Sequence, residues 1–169
     1  MEIRAEKSDD TEAVYQVNVA AFGRKSEADL VDALRGAASA LSFVAVESGQ
    51  IVGHVFFSPV EIVGVCADDV LVFGLAPVSV IPNYQRQGIG SLLIQYGLKE
   101  CAQLGGSAVV VLGFPEYYSR FGFTPAREKG LECEYPVPDE VFMVLELESG
   151  ALEGCVGMVR YCSEFNKLE

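Results

Sequence analysis

Apolar and polar positions follow two different periods along this chain of 169 residues, and the changes of period predict the order of its elements. Runs rich in β-branched and aromatic residues predict strands, whereas apolar residues spaced three and four apart predict helices. The predicted strands cover residues 2–6, 42–47, 51–63, 70–81, 107–112, 131–135 and 141–147, with a further strand in the tail 156–165. The predicted helices cover residues 9–22, 26–35 and 90–104, with a short helix that ends at Gly122.

The stretch from residue 70 to residue 112 predicts a strand, a helix and a second strand. The two strands are expected to be parallel because a helix lies between them. Pro77 lies inside the first strand and has no N–H to donate, so we expect a bulge or an unpaired edge there. The backbone of Val78, Ser79 and Val80 would then be available to pair with an extended ligand. By contrast, residues 131–135 and 141–147 are predicted to be antiparallel strands around a proline-containing turn.

A glycine-containing loop connects the first of these strands to the helix. Its sequence is Gln85-Arg86-Gln87-Gly88-Ile89-Gly90, followed by Ser91. Such a loop leaves several backbone N–H groups unpaired at the positive end of the helix dipole, which predicts an anion site. The loop lacks the lysine of a Walker phosphate loop, and Leu93 stands where a dinucleotide fingerprint needs its third glycine.

Two motifs in this part of the chain resemble those of one enzyme family. Gln85-x-x-Gly88-x-Gly90 is similar to the Gln/Arg-x-x-Gly-x-Gly/Ala loop that binds acetyl-CoA in the GCN5-related N-acetyltransferases (GNAT). Tyr118-Ser-Arg-Phe-Gly122-Phe123 follows at the place where that family has Tyr-x-x-x-Gly-Phe. The sequence of residues 115–123, Pro-Glu-Tyr-Tyr-Ser-Arg-Phe-Gly-Phe, further resembles that of one bacterial branch of the family, the YhbS-like acetyltransferases. Two motifs in the right order are more specific than one.

The resemblance implies an α/β (α+β) fold and an N-acetyltransferase. The expected fold has a mixed, mostly antiparallel sheet of about six to seven strands with flanking helices. Its central strands, ending at Val80 and Leu112, would splay apart to form an acetyl-CoA cleft. The residues expected to bind the cofactor are Val78, Ser79, Val80, Gln85, Arg86, Gln87, Gly88, Ile89, Gly90 and Ser91.

Acetyl transfer to an amine also needs an acid for the departing thiolate and a group that polarises the thioester. The resemblance assigns the acid to Tyr118, whose phenol can supply a proton as charge develops on sulfur. Without this resemblance, Tyr118 would more often be interpreted as an aromatic residue that packs beside Phe121 and Phe123. The N–H of Val80 could donate to the thioester oxygen. Tyr117 is expected to contact substrate or to pack.

A base that accepts the proton of the amine is harder to predict. Glu61 lies where some family members place a glutamate that acts through water, although an exposed strand carboxylate is the commoner reason for such a residue. His54 is the only histidine and lies in an apolar strand, which favours a hydrogen-bonded core residue. Glu116 could contact an amine or merely begin the short helix.

Composition predicts an ordinary globular protein. A chain of 169 residues can bury a core as one domain, so we predict a single domain over residues 1–169. The N-terminus has no basic segment followed by an apolar one, and residues 70–81 are fewer than the roughly 20 needed to span a bilayer. We therefore predict a soluble, cytoplasmic protein without a membrane partner.

Charge limits the partners. Twelve basic and 24 acidic residues give a formal net charge of −12, which repels nucleic acid and favours a cationic amine substrate. CoA binding must then depend on local backbone donors and on Arg86. The expected acceptor is a small-molecule or peptide amine, and a homodimer is possible. The alternative function is a noncatalytic acyl-CoA sensor or interaction domain.

The five cysteines suggest neither disulfides nor a metal site. Their number is odd, they are widely spaced, and only one histidine accompanies them. Cys101 lies on the apolar stripe of the predicted helix 90–104, which is typical of a small buried residue. Since no cysteine falls in either motif, we expect direct transfer of the acetyl group rather than an acetyl-cysteine intermediate, and no metal.

Overall fold

The computed structural model describes residues 1–168, which form nine strands and four α-helices. The strands are β1 (Glu2–Ala5), β2 (Leu41–Glu47), β3 (Gln50–Val65), β4 (Val72–Val80), β5 (Ala108–Leu112), β6 (Thr124–Pro125), β7 (Leu131–Cys133), β8 (Phe142–Glu146) and β9 (Val156–Arg160). The helices are α1 (Thr11–Phe22), α2 (Ser26–Leu34), α3 (Ile89–Gln103) and α4 (Pro115–Tyr118). Glu169, the last residue of the predicted domain, lies outside the described residues.

The chain divides into two compact units, and β3, β4 and α3 each contribute residues to both. The first unit consists of Met1–Ser58, Leu75–Gly97 and the C-terminal residues from Cys162 onwards. The second unit consists of Pro59–Gly74 and Leu98–Tyr161.

In the first unit, antiparallel strands form the framework. β1 pairs with β2, and β2 pairs with β3 from Leu41↔Phe57 to Glu47↔Gln50. Ser48 and Gly49 both have positive φ, at 53° and 78°, and form the tight turn between β2 and β3. The predicted hairpin is therefore confirmed.

The helices of the first unit bury their apolar positions as their spacing predicts. Val14 and Val17 of α1 and Leu30 and Leu34 of α2 are buried. α1 ends at Gly23, whose left-handed backbone directs its N–H to the Val19 carbonyl at 2.8 Å. The first turns of α3 bury Leu93 and Ile94. The Tyr96 ring of the same helix lies edge-on against the Phe43 ring, with the two centroids 5.3 Å apart.

In the second unit, β5 pairs in parallel with β4 and antiparallel with β8. The parallel register has three pairs and ends at Gly74↔Val110. The antiparallel register runs from Ala108↔Glu146 to Leu112↔Phe142, and β6 continues the sheet on the other side of β8. Together with the antiparallel pairs of the first unit, this gives the mixed, mostly antiparallel sheet that was expected.

The predicted antiparallel pairing of residues 131–135 with residues 141–147 is wrong. β7 instead pairs in parallel with β9, and β9 pairs antiparallel with β3. The segment between β7 and β8 contains Pro136 and Pro138, which cannot donate ladder hydrogen bonds, so a tight hairpin is disfavoured there. The tail strand ends at Arg160, and residues 163–167 form a 3₁₀ helix.

The expectation that the cysteines form no disulfide is also wrong. Cys66 and Cys155 are bridged in the second unit, across 89 positions of sequence. Neither cysteine is part of a short motif, so spacing gave no sign of the bridge. It joins the connection before β4 to the connection before β9.

No helix within residues 1–168 combines the length and apolar character that a bilayer crossing requires. No group of three or more histidine, cysteine or acidic side chains in this same part of the chain is placed to hold a metal ion.

Candidate functional site

The predicted cofactor strand ends in the first unit with alternating exposure. Ser79 is buried, whereas Val78 and Val80 are half-buried. The peptide bond before Pro77 is cis. At the end of β4, the Ile81 N–H donates to the Val52 carbonyl at 2.9 Å, which anchors the start of the following loop on β3.

The loop after β4 leaves a run of backbone donors without acceptors. The Gln85 N–H donates to the Pro82 carbonyl at 3.3 Å before this run, and the Leu92 N–H donates to the Gly88 carbonyl at 3.1 Å after it. Within residues 1–168, the N–H groups of Arg86–Gly90 make no hydrogen bond. Five consecutive donors at the N-terminus of the 15-residue helix α3 form a site of positive potential.

The backbone of this loop bends through left-handed conformations. Arg86 has φ of 64°, which is unusual for a residue with a side chain, and Gly88 has φ of 85°. When neighbouring residues alternate between right-handed and left-handed backbone conformations, their N–H groups point into one concave surface. Such a surface commonly binds anions in proteins. A Cβ added at Gly88 would find no atom within 4 Å, so the space above the loop is open to a ligand.

Side chains of the loop hold its shape and add one cation. The Gln85 amide donates to the Val80 carbonyl at 2.8 Å, and the Gln87 amide donates to the Asn83 carbonyl at 3.3 Å. Ile89 is buried, so only its backbone can serve a ligand. Arg86 is exposed and is the only basic side chain of the predicted cofactor residues. The local charge is therefore favourable to an anion despite the net charge of −12.

Tyr118 lies in an aromatic cluster of the second unit. Its ring centroid is 5.1 Å from that of Tyr117 and 5.7 Å from that of Phe123. The ring also lies against Gly113, where an added Cβ would clash with Tyr118 Cε2. Burial, and secondarily the charge of ionised Tyr117, raise the pKa of Tyr118 to about 12. Its phenol is therefore protonated at neutral pH and has a proton to donate.

The two glutamates that were considered for contact with the amine, Glu61 and Glu116, are both exposed. Glu61 is exposed on β3 of the second unit, directly opposite Arg160 of β9. Glu116 is exposed in the first turn of α4, as expected for a carboxylate that begins a short helix. Tyr117 packs against Phe121 and carries the Arg120 guanidinium on its face, 4.7 Å from the ring centroid.

His54 is confirmed as a hydrogen-bonded core residue of the first unit. The Asn18 amide donates to Nδ1 at 3.2 Å, so Nε2 carries the proton and donates to Ser42 Oγ at 2.8 Å. Ser42 in turn donates to Glu6, whose other oxygen pairs with Arg35 at 2.8 Å. Burial, and then the charge of Arg35, lower the pKa of His54 to about 3, so the ring is neutral at physiological pH.

A family model described as an acetyltransferase (GNAT) domain matches residues 2–126 of the chain. The strand, anion loop and helix described above lie inside this match. The chain therefore belongs to the GNAT family of N-acetyltransferases and is an acyltransferase, as the two motifs indicated.

Relatives agree with this assignment. YhbS of Escherichia coli (strain K12), named an uncharacterized N-acetyltransferase, is 37% identical over 170 residues, which cover 99% of this chain and 100% of that protein. The structure of E. coli YhbS in complex with CoA has a TM-score of 0.90 and 37% identity, and the match covers 98% of this chain and 91% of that one. A GNAT acetyltransferase from Brucella melitensis in complex with acetyl-CoA has a TM-score of 0.78 and 36% identity, with 97% of each chain covered.

Proposed function

We propose that this chain transfers the acetyl group of acetyl-CoA directly to a primary amine of a small molecule or peptide. One observation supports the proposal most strongly. The N–H groups of Arg86–Gly90 have no acceptor within residues 1–168, and they lie at the N-terminus of α3 below open space. A diphosphate has the charge and the number of oxygens to accept from such a cradle.

The proposed cofactor contacts follow from this placement. Gln85–Ser91 would hold the diphosphate, mainly through backbone N–H groups, and the exposed Arg86 guanidinium would add a charge-assisted contact. Gln85 contributes indirectly, because its amide already holds the Val80 carbonyl. The backbone of Val78–Val80 would pair with the amides of the pantetheine arm in the manner of an added strand.

We assign the general acid to Tyr118. In the transfer step, the neutral amine attacks the thioester carbonyl carbon, a C–N bond forms and the C–S bond breaks. The Tyr118 hydroxyl gives its proton to the departing thiolate, and the amine loses one proton to a base. The products are the acetylated amine and the free thiol of CoA. A pKa of about 12 keeps Tyr118 protonated until charge develops on sulfur.

Glu61 remains our candidate for the base, acting through water. Its exposure on β3 gives water free access to the carboxylate, which a relay through water requires. An alkyl amine has an ordinary pKa of about 10.4, so removal of a proton must precede or accompany attack.

The net charge of −12 favours a cationic acceptor over a nucleic acid or an anionic lipid surface. Polyamines and amino sugars are cationic at neutral pH, and amino acids and peptide N-termini also carry a protonated amine. We place the reaction in the cytoplasm, where acetyl-CoA would be available to the enzyme.

Two measurements test the proposal. Calorimetry with CoA should show saturable binding, and thiol release from acetyl-CoA should occur with at least one amine of the four classes above. Tyr118→Phe should keep CoA affinity and lose about 10²- to 10⁴-fold in kcat, whereas Tyr117→Phe should change kcat little. If CoA does not bind, the proposal is wrong. If CoA binds but none of these amines elicits thiol release, the result favours the acyl-CoA sensor over the proposed reaction.

A further inference from the structure

The strands β3, β9 and β7 of the second unit present one continuous outer face. The register places Val63 opposite Met158 and Val65 opposite Val156, so these four side chains point to the same side. On β7, the exposed Glu132 is the neighbour of Met158 on this side. We refer to Val63, Val65, Val156 and Met158 as the apolar face.

The apolar face is open to solvent, whereas the reverse side of the same strands is partly buried. Val65 is 71% exposed, Val156 62%, Val63 42% and Met158 39%. On the reverse side, Val159 is fully buried. A two-sided strand pair of this kind would ordinarily show polar side chains to water. Contiguous exposed apolar side chains with a charged rim are typical of an interaction site.

Two opposite charges at one end of the apolar face favour a second copy of the same chain as the partner. Glu61 lies directly opposite Arg160 in the register, on the same side as the apolar face. The surface therefore carries both signs side by side, with the negative charge on β3 and the positive charge on β9. Such a surface is complementary to itself when it is turned about a two-fold axis.

We propose that a second copy of this chain covers the apolar face, with the two-fold axis parallel to β3 and β9 and midway between them. This rotation keeps the height of each residue along the strands and exchanges the two strands. β3 of each copy then lies over β9 of the other. Val63 meets Met158 of the other copy and Val65 meets Val156. Glu61 faces Arg160 at the open end of the interface, where water still reaches the carboxylate.

The interface is small, which determines how the dimer behaves. A stable protein interface buries about 800 Å² on each partner, and four apolar side chains with a charged end supply only part of this area. Each copy also has a net charge of −12, which opposes association at long range. We therefore expect a concentration-dependent dimer rather than a permanent one.

Sedimentation velocity of the full chain, from about 1 µM to about 1 mM, should show a monomer–dimer equilibrium. Val65→Asp should raise the dimer dissociation constant about tenfold or more, since it introduces a charge into the centre of the interface. Leu104→Asp is the matched control. Leu104 is 61% exposed after α3 and lies outside the apolar face, so its variant should dimerise as the wild type does.

A charge exchange tests the orientation. Glu61→Arg and Arg160→Glu should each weaken the dimer, because like charges would then face each other. The double variant should restore the dissociation constant to within a few fold of the wild type. A wild type that stays monomeric over the whole range overturns the proposal, as does a dimer that Val65→Asp leaves intact. Failure of the double variant to recover overturns the two-fold arrangement.

Discussion

The side-chain amide of Gln85 donates a hydrogen bond of 2.8 Å to the backbone carbonyl of Val80. This bond closes the loop between the end of β4 and the start of α3 on itself. The bond therefore fixes the distance between the two segments proposed to bind the cofactor. These are Val78–Val80 for the pantetheine arm and Gln85–Ser91 for the diphosphate. We therefore expect the motif glutamine to act as a positioning residue, whose side chain need not touch the ligand.

Gln85→Ala should weaken CoA binding by about 2- to 10-fold, the equivalent of one net hydrogen bond, and should leave the melting temperature nearly unchanged. Calorimetry provides the affinity. Gln87→Ala is the control, because the Gln87 amide makes a longer bond of 3.3 Å to the Asn83 carbonyl, in the 3₁₀ turn Pro82–Tyr84. Equal losses in both variants would show that the Gln85–Val80 bond has no special role.

Gly88→Ala should reduce CoA affinity at least tenfold, since a Cβ would enter the open space above the cradle and displace phosphate from the N–H groups. The left-handed backbone adds a strain of about 1–2 kcal/mol to folding. Gly105→Ala is a matched control, because Gly105 also has φ of 85° and open space around it, but it ends α3 instead of beginning it. The control should lose similar stability and keep CoA affinity.

The raised pKa of Tyr118 should make stability fall at alkaline pH. Its pKa is about 12 in the folded protein and 10 ordinarily, so the phenol of the unfolded chain loses its proton first as pH rises. The contribution of Tyr118 to the free energy of unfolding is therefore fully present below pH 10 and is lost as pH rises toward 12. Between pH 9 and pH 11, the wild type should lose about 1 kcal/mol more than Tyr118→Phe. Urea unfolding at the two pH values measures the difference. Parallel losses would show that the folded phenol ionises normally.

His54 should give the opposite pH dependence, on the acid side. Its pKa is about 3 in the folded protein and 6.5 ordinarily, so the unfolded chain binds a proton first and stability is lost as pH falls below 6.5. The loss should reach about 2 kcal/mol at pH 5. Because the chain has one histidine, its imidazole NMR signals can be followed alone, and they should not shift between pH 7.5 and pH 5. A midpoint near 6.5 would contradict this placement.

The disulfide predicts a redox-dependent stability. The oxidised protein should show three thiols after denaturation, from Cys101, Cys133 and Cys162, and five after reduction. Opening the bridge should cost about 2–4 kcal/mol, because the bridge closes a loop of 89 residues in the unfolded chain. Thermal melts with and without reductant measure the cost, and Cys133→Ser should keep the difference. Five thiols without reductant would show that the bridge does not form.

Local elements were predictable where a short stretch contained its own signals. The hairpin turn at Ser48-Gly49, the end of α1 at Gly23 and the strand–loop–helix around Gly88 depend on residues within a few positions of one another. The core role of His54 was also expected from its apolar strand, although its partner Asn18 was not.

Pairings between distant segments were less predictable. The partner of β7 is β9 and not β8, because pairing of short strands depends on which edges the rest of the fold leaves open. Periodicity identifies a strand but contains no information about its neighbour. The raised pKa of Tyr118 likewise depends on burial by Phe123 and Gly113, which the motif alone does not reveal.

The sequence by itself determined the family, the anion loop and the order of most elements, because glycine placement, helix polarity and hydrophobic period act over a few residues. Only the tertiary structure decided the Cys66–Cys155 bridge, the parallel pairing of β7 with β9 and the outer apolar face. Each of these joins residues far apart in sequence, and such contacts form only when the whole chain has paid the entropy of closing the loops between them.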